Sequence, residues 1–136
     1  VIAGGDASMA EKVVPAVVFT DPEIAMVGHS EAEAEAAGFE TVVGEFPFRS
    51  SGRALSTGHT EGFVRIIGDV EAGTVLGARI VGPEASELIG ELGLAVQTET
   101  TIDEVAETIH THPTLGEATM EAAENALGHA IHTLNR

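Results

Sequence analysis

The feature that most constrains this chain is a change of hydrophobic period at Gly82-Pro83. Before that point the apolar residues come in short β-rich runs separated by turn signals. Beyond it they repeat at helical spacing, with Ala85, Ile89, Leu92 and Val96 on one stripe. Strands first and helices afterwards predict an α+β fold, a largely antiparallel sheet with helices on one face. At 136 residues and 43% hydrophobic content the chain can bury one core of its own. With five Phe and neither Tyr nor Trp, that core has to be packed mainly from Val, Ile, Leu and Ala.

Residues 1–14 mix Gly4 and Gly5 with polar positions and read as an entering segment. A strand is predicted over Pro15 to Phe19, meeting a turn at Asp21-Pro22, and apolar character resumes from Ile24 to Val27. Ser30 and Glu33 have the spacing of a capping box, so a short helix is predicted over 30–37, stopped by Gly38. Thr41 to Phe48 is strand-like, and the Ser- and Gly-rich stretch Arg49 to Thr60 reads as a loop. Phe63 to Val70 and Thr74 to Val81 are two strands joined through Glu71-Ala72-Gly73 as a hairpin. In the helical half, Thr101 and Glu104 form a second capping box opening a helix to about Ile109. Thr114 and Glu117 form a third, opening a helix expected to carry Ala123, Leu127, Ile131 and Leu134, and with them His129 and His132.

Charge narrows the function. The chain has 22 Asp and Glu against 6 Lys and Arg, with Lys12 the sole lysine, for a formal net charge of -16. A field of that sign repels phosphate backbones and anionic lipid, so neither a nucleic acid nor a membrane surface is expected as partner. The same acidic surface suits a protein adapted to high salt, where screening removes the self-repulsion. No cysteine is present, which excludes a disulfide framework, a thiolate nucleophile and a Cys-based zinc site. No apolar run approaches the roughly 18 residues of a membrane span, and no signal-peptide layout opens the chain, so a cytoplasmic location is expected. A start at Val1 suits a piece of a longer chain or a processed product. No two glycines are separated by a single residue, which rules out a G-x-G-x-x-G loop; the P-loop and G-x-S-x-G signatures are absent as well. Self-contained NAD, FAD or ATP chemistry by these motifs is not expected.

The informative stretch is His110-Thr111-His112-Pro113-Thr114-Leu115-Gly116-Glu117, between two predicted helices. A histidine titrates near neutrality, and a carboxylate on its second ring nitrogen would fix the tautomer and raise its basicity. Pro113 holds His112 out of the helical region. Glu117 has an equally good local use at the third helical position after Thr114, as half of a capping box. The His-x-His pair could also ligate a metal with Glu117 or Glu121, although spacing fixes no third ligand and no metal is assigned. Arg53 could contact an anion or simply form a surface ion pair. His29 and His59 stand alone near turns, and His129 and His132 fit a solvated or interface face.

The order of motifs resembles the dimerisation domain of the pyridine nucleotide-disulfide oxidoreductases, and most of all of the dihydrolipoamide dehydrogenases. The residues that carry this are Pro15-Ala16-Val17-Val18-Phe19-Thr20-Asp21-Pro22-Glu23-Ile24-Ala25 with Val27-Gly28, Arg53-Ala54, Gly62-Phe63-Val64-Arg65-Ile66-Ile67, Leu76-Gly77, Ile80-Val81-Gly82-Pro83, Glu87-Leu88-Ile89 and His110 through Ala118. The likeness covers nearly the whole chain, and it is the ordered set that is specific. It implies that residues 1–136 are the carboxy-terminal interface domain of a homodimeric enzyme that uses FAD and NAD to turn dihydrolipoamide into lipoamide. Its FAD- and NAD-binding domains and its redox disulfide would lie outside this chain, so the domain alone is expected to bind no cofactor and to be inactive. It further implies that His112 is the acid/base and Glu117 its orienting partner, acting in the active site of the other subunit. The backbone of His112 and Pro113 would pack near the flavin there, with a cis His112–Pro113 bond as one arrangement open to such a site. The parent is expected to serve a 2-oxoacid dehydrogenase complex or to use free lipoamide. A non-catalytic dimerisation module and a glutathione-reductase relative are the alternatives. Gly116 departs from the family, many of whose members have a small hydroxyl residue there.

Overall fold

A computed structural model describes residues 4, 8, 9 and 12–135. Most of the predicted entering segment, 1–14, lies outside the described residues. Five strands, β1 (Ala16–Val18), β2 (Glu23–Gly28), β3 (Thr41–Pro47), β4 (Phe63–Asp69) and β5 (Val75–Gly82), form one sheet in the order β1-β2-β5-β4-β3. Every pairing in it is antiparallel. Five helices complete the described fold: α1 (Glu31–Ala36), α2 (Gly52–Thr57), α3 (Ala85–Gln97), α4 (Ile102–Glu107) and α5 (Glu117–Ala126).

Register explains why one face of the sheet is dry. Phe46 pairs with Val64, Val64 with Ile80 and Ile80 with Ala25, and the neighbouring row runs Gly44, Ile66, Ala78, Val27. Apart from the glycine, all of these are buried hydrophobics. The row between them has the opposite parity and reads Glu45, Arg65, Arg79, Met26, so the other face carries the charge. Arg65 bridges Glu45 there at 2.5 Å. Helix α3 covers β2 and β5, and α5 covers β3 and β4. Ala85, Ile89 and Leu92 of the predicted α3 stripe are buried; Ala95 completes it, while Val96 is only partly covered. Each fully buried Ile, Leu or Phe of this layer contributes about 1.5–3 kcal/mol.

Gly44 shows how close α5 approaches. A Cβ at that position would fall onto the Ala122 carbonyl oxygen and the Ala126 backbone nitrogen, so only glycine lets the α5 backbone rest on β3. That contact sets the height of the helix bearing Glu117 and Glu121.

Two helix ends are built as their residues predict. Ser30 accepts from the Glu33 N–H while the Glu33 carboxylate accepts from the Ser30 N–H, and Thr101 and Glu104 repeat the reciprocal pair. Helix α3 is capped from a distance: the Glu23 carboxylate on β2 accepts from the Ser86 N–H at 2.9 Å.

Two segments correct the sequence reading. The stretch 49–60 is not simply a loop, for a 3-10 turn at Phe48–Ser50 leads into α2. Ser51 caps that helix through the Ala54 N–H, Gly58 stops it at φ 77°, and Ala54 is its one buried residue. The last helix ends at Ala126 rather than running on to Leu134. Gly128, at φ 78°, turns the chain out of the helix, which leaves Ile131 and Leu134 exposed and takes His129 and His132 off the helix. The tail folds back instead: the Asn125 amide donates to the Leu134 carbonyl, and Asn135 accepts from the Ala130 N–H.

Candidate active site

Helix α4 stops at Glu107 and α5 begins at Glu117, so the motif stretch forms a non-helical bridge between two packed helices. The His112–Pro113 peptide is cis. Thr114 does not act as a side-chain cap; its hydroxyl donates to the Thr111 carbonyl at 2.7 Å. The other half of the capping box is present, since the Thr114 N–H donates to Glu117 Oε2 at 2.8 Å. Glu117 Oε1 meanwhile accepts from His112 Nδ1 at 2.7 Å. The two uses read from the sequence for Glu117 therefore coexist, one on each oxygen.

The arrangement has a definite chemistry. An Nδ1 facing a carboxylate carries the proton, which leaves the lone pair of a neutral ring on Nε2. That nitrogen makes no hydrogen bond among the described residues. The His112 side chain is 79% exposed and that of Glu117 24%. Partial burial works against ionising Glu117. The Thr114 N–H, the His112 ring bond and the neighbouring His112 and His110 charges outweigh it and hold the carboxyl below its ordinary value.

His110 is placed quite differently. Its ring is largely buried, with Nδ1 2.8 Å from the Thr108 carbonyl and Nε2 2.9 Å from Glu91 Oε1 on α3. Held at both nitrogens, it ties the bridge to α3 and has no free atom for chemistry. The departure at Gly116 is mild, because a Cβ there would stand 3.4 Å from His110 Cδ2, an ordinary contact.

The metal option is not what these carboxylates are arranged for. Glu117 serves His112, Glu121 serves His132, and no cluster of three or more His, Asp or Glu fit to hold an ion occurs among the described residues. Arg53 is exposed on α2 and has no ion pair among the described residues. His29 lies against Phe39 with the rings tilted and their centroids 6.2 Å apart. His59 borders a larger cleft of about 630 Å³ with Asp21, Glu23, Glu61 and Glu84, which no residue of the motif lines. His129 lies 3.9 Å from Glu124.

Sequence reasoning missed the pairings of His110 with Glu91, of His129 with Glu124 and of His132 with Glu121. His132 Nδ1 lies 2.5 Å from Oε1 of the buried Glu121. No local signal marks it, because the contact exists only once the tail has folded back past Gly128. His112, Glu117, Glu121 and His132 all line one depression of about 300 Å³, with Phe46, Leu55 and Met120 as its apolar wall.

Comparison with known proteins places the fold in a family. The family described as pyridine nucleotide-disulphide oxidoreductase, dimerisation domain, matches residues 14–123. A dihydrolipoyl dehydrogenase of Halobacterium salinarum is 65% identical over 136 residues, covering 100% of this chain and 29% of its own length. One from Haloferax volcanii is 64% identical over 135 residues, covering 99% and 28%. The chain thus spans less than a third of the curated relatives it matches. Among solved structures, LpdA from Mycobacterium tuberculosis superposes with a TM-score of 0.81 at 35% identity, over 90% of this chain and 27% of that one. The HOCl-induced flavoprotein disulfide reductase RclA from Escherichia coli gives 0.85 at 25% identity, over 90% and 28%. The antiparallel sheet, the ordered motifs and these matches lead to one conclusion: this chain belongs to the pyridine nucleotide-disulphide oxidoreductase dimerisation-domain family.

Proposed function

We propose that this domain works as part of a homodimeric, FAD-dependent dihydrolipoyl dehydrogenase, in which His112 serves as acid/base in the active site of the neighbouring subunit and Glu117 orients it. The observation that carries the reading is the outward imidazole: Nδ1 is fixed by Glu117 at 2.7 Å while the ring is 79% exposed and keeps Nε2 for a substrate. The 65% and 64% identities to dihydrolipoyl dehydrogenases favour the dihydrolipoamide–lipoamide couple over other dithiol–disulfide substrates. The exposed apolar side chains of Phe19, Leu94 and Ile109 are consistent with surface that association with a second copy would cover.

Among the described residues the sheet is antiparallel throughout, with no parallel strand-helix-strand crevice for a dinucleotide, which supports FAD and NAD being held by other domains of the parent. Only the backbone at His112 and Pro113 would border the flavin. The step assigned here is a proton transfer: His112 Nε2 takes the proton of a dithiol S–H, leaving a thiolate free to attack the redox disulfide and an imidazolium steadied by the Glu117 carboxylate. As the second thiol closes the substrate to its own disulfide, the redox disulfide on those other domains would take up the electron pair, and the FAD there would supply the acceptor for it. Alone, the domain is inactive under this reading.

The same reading places the parent in the cytoplasm, either with a 2-oxoacid dehydrogenase complex or acting on free lipoamide. The net charge of -16 on this chain and its haloarchaeal relatives support adaptation to high salt. In the full-length flavoprotein, His112→Gln should lower dihydrolipoamide oxidation by about 10²–10⁴-fold, the usual cost of losing a positioned base. Unchanged turnover would remove His112 from the mechanism.

A further inference from the structure

Glu117 and Glu121 stand one helical turn apart on α5 and so share a face. Each holds Nδ1 of a histidine from the non-helical chain flanking that helix, His112 before it and His132 after it. The second pair is the more firmly anchored. The Glu121 side chain is only 6% exposed, and its other oxygen lies 3.4 Å from the His132 backbone N–H. The His132 ring is nevertheless 63% exposed, and its Nε2 makes no hydrogen bond among the described residues. Stability is a weak reason for such a pair, because a buried carboxylate costs desolvation that an apolar side chain would not. Its result is a second preorganised imidazole on the depression that already holds His112.

We propose that His132 is a substrate-binding residue of this site, taking at Nε2 the amide end of a dithiol whose thiol end lies at His112. This rests on the proposed dithiol-oxidising function. An amide offers both an N–H and a carbonyl, so Nε2 can pair with it either as acceptor or as donor. Leu55 and Met120 on the same depression suit the alkyl chain between the two polar ends.

The test uses the full-length flavoprotein and two substrates, dihydrolipoamide and an alkyl dithiol of the same length and thiol spacing that lacks the amide. His132→Ala should raise KM for dihydrolipoamide about 3–10-fold, the range of one lost hydrogen bond, with kcat unchanged and KM for the alkyl dithiol unmoved. Because that variant strands the Glu121 carboxylate, His132→Ala combined with Glu121→Gln removes the buried charge and should give the same pattern. An unchanged KM for dihydrolipoamide, or an equal rise for both dithiols, overturns the assignment. His112→Gln assayed alongside separates the two claims. If it lowers kcat while His132→Ala leaves KM alone, only the role of His132 falls; if it leaves kcat intact, the underlying function falls.

Discussion

Glu117 performs two tasks with two oxygens: Oε2 takes the Thr114 N–H at the start of α5, and Oε1 takes the His112 ring. Both contacts favour the ionised carboxyl, so its folded pKa lies below the ordinary 4.5 despite the opposing effect of burial. A carboxyl depressed on folding contributes stability above its unfolded pKa, and that contribution is lost as pH falls through the folded value. Glu23, Glu33 and Glu104 are lowered in the same direction, each chiefly by a backbone N–H that it caps. The full-length protein should therefore lose stability progressively as pH drops below the ordinary carboxylate range, and Glu117→Gln should flatten part of that loss. Denaturant melts at a series of acid pH values would show it. A variant whose stability falls with acid as steeply as the parent's would contradict the account of Glu117.

At the scale of elements, what the sequence revealed was what is settled locally. The five strands follow β-rich runs between turn residues, and the boxes at Ser30 and Thr101 are complete within four residues. Helix α2 was hidden because it is six residues long, sits among Ser and Gly and buries only Ala54, so no stripe announces it. The end of α5 departs from the sequence expectation for the opposite reason: Ile131 and Leu134 continue a helical spacing that Gly128 breaks. A glycine just past the last buried helical position is a helix-stop signal that overrides such a periodicity. The motif alone left two uses open for Glu117, a helix start and the His112 ring, and it was the family resemblance that singled out the His112–Glu117 contact. The His132–Glu121 contact was not legible, because it depends on a tail strapped back by Asn125 and Asn135.

Across the whole molecule, six basic residues cannot neutralise 22 acidic ones, so the folded state carries its repulsion into solvent. Screening shortens from about 10 Å at 0.1 M salt to about 3 Å at 1 M, which should relieve that repulsion steadily. The melting temperature of the full-length protein should accordingly rise across a salt series, and a flat or falling trend would count against salt adaptation. The central claim is that the His112 ring serves a neighbouring subunit, and a mixed dimer tests it most directly. One protomer would carry His112→Gln and the other a serine in place of the redox cysteine that the proposed parent supplies. If histidine and disulfide meet across the interface, the two defects fall in one site and leave the other whole, so the mixed dimer should oxidise dihydrolipoamide although either variant homodimer cannot. A mixed dimer as inactive as its parents would place the two groups within one subunit and contradict the account.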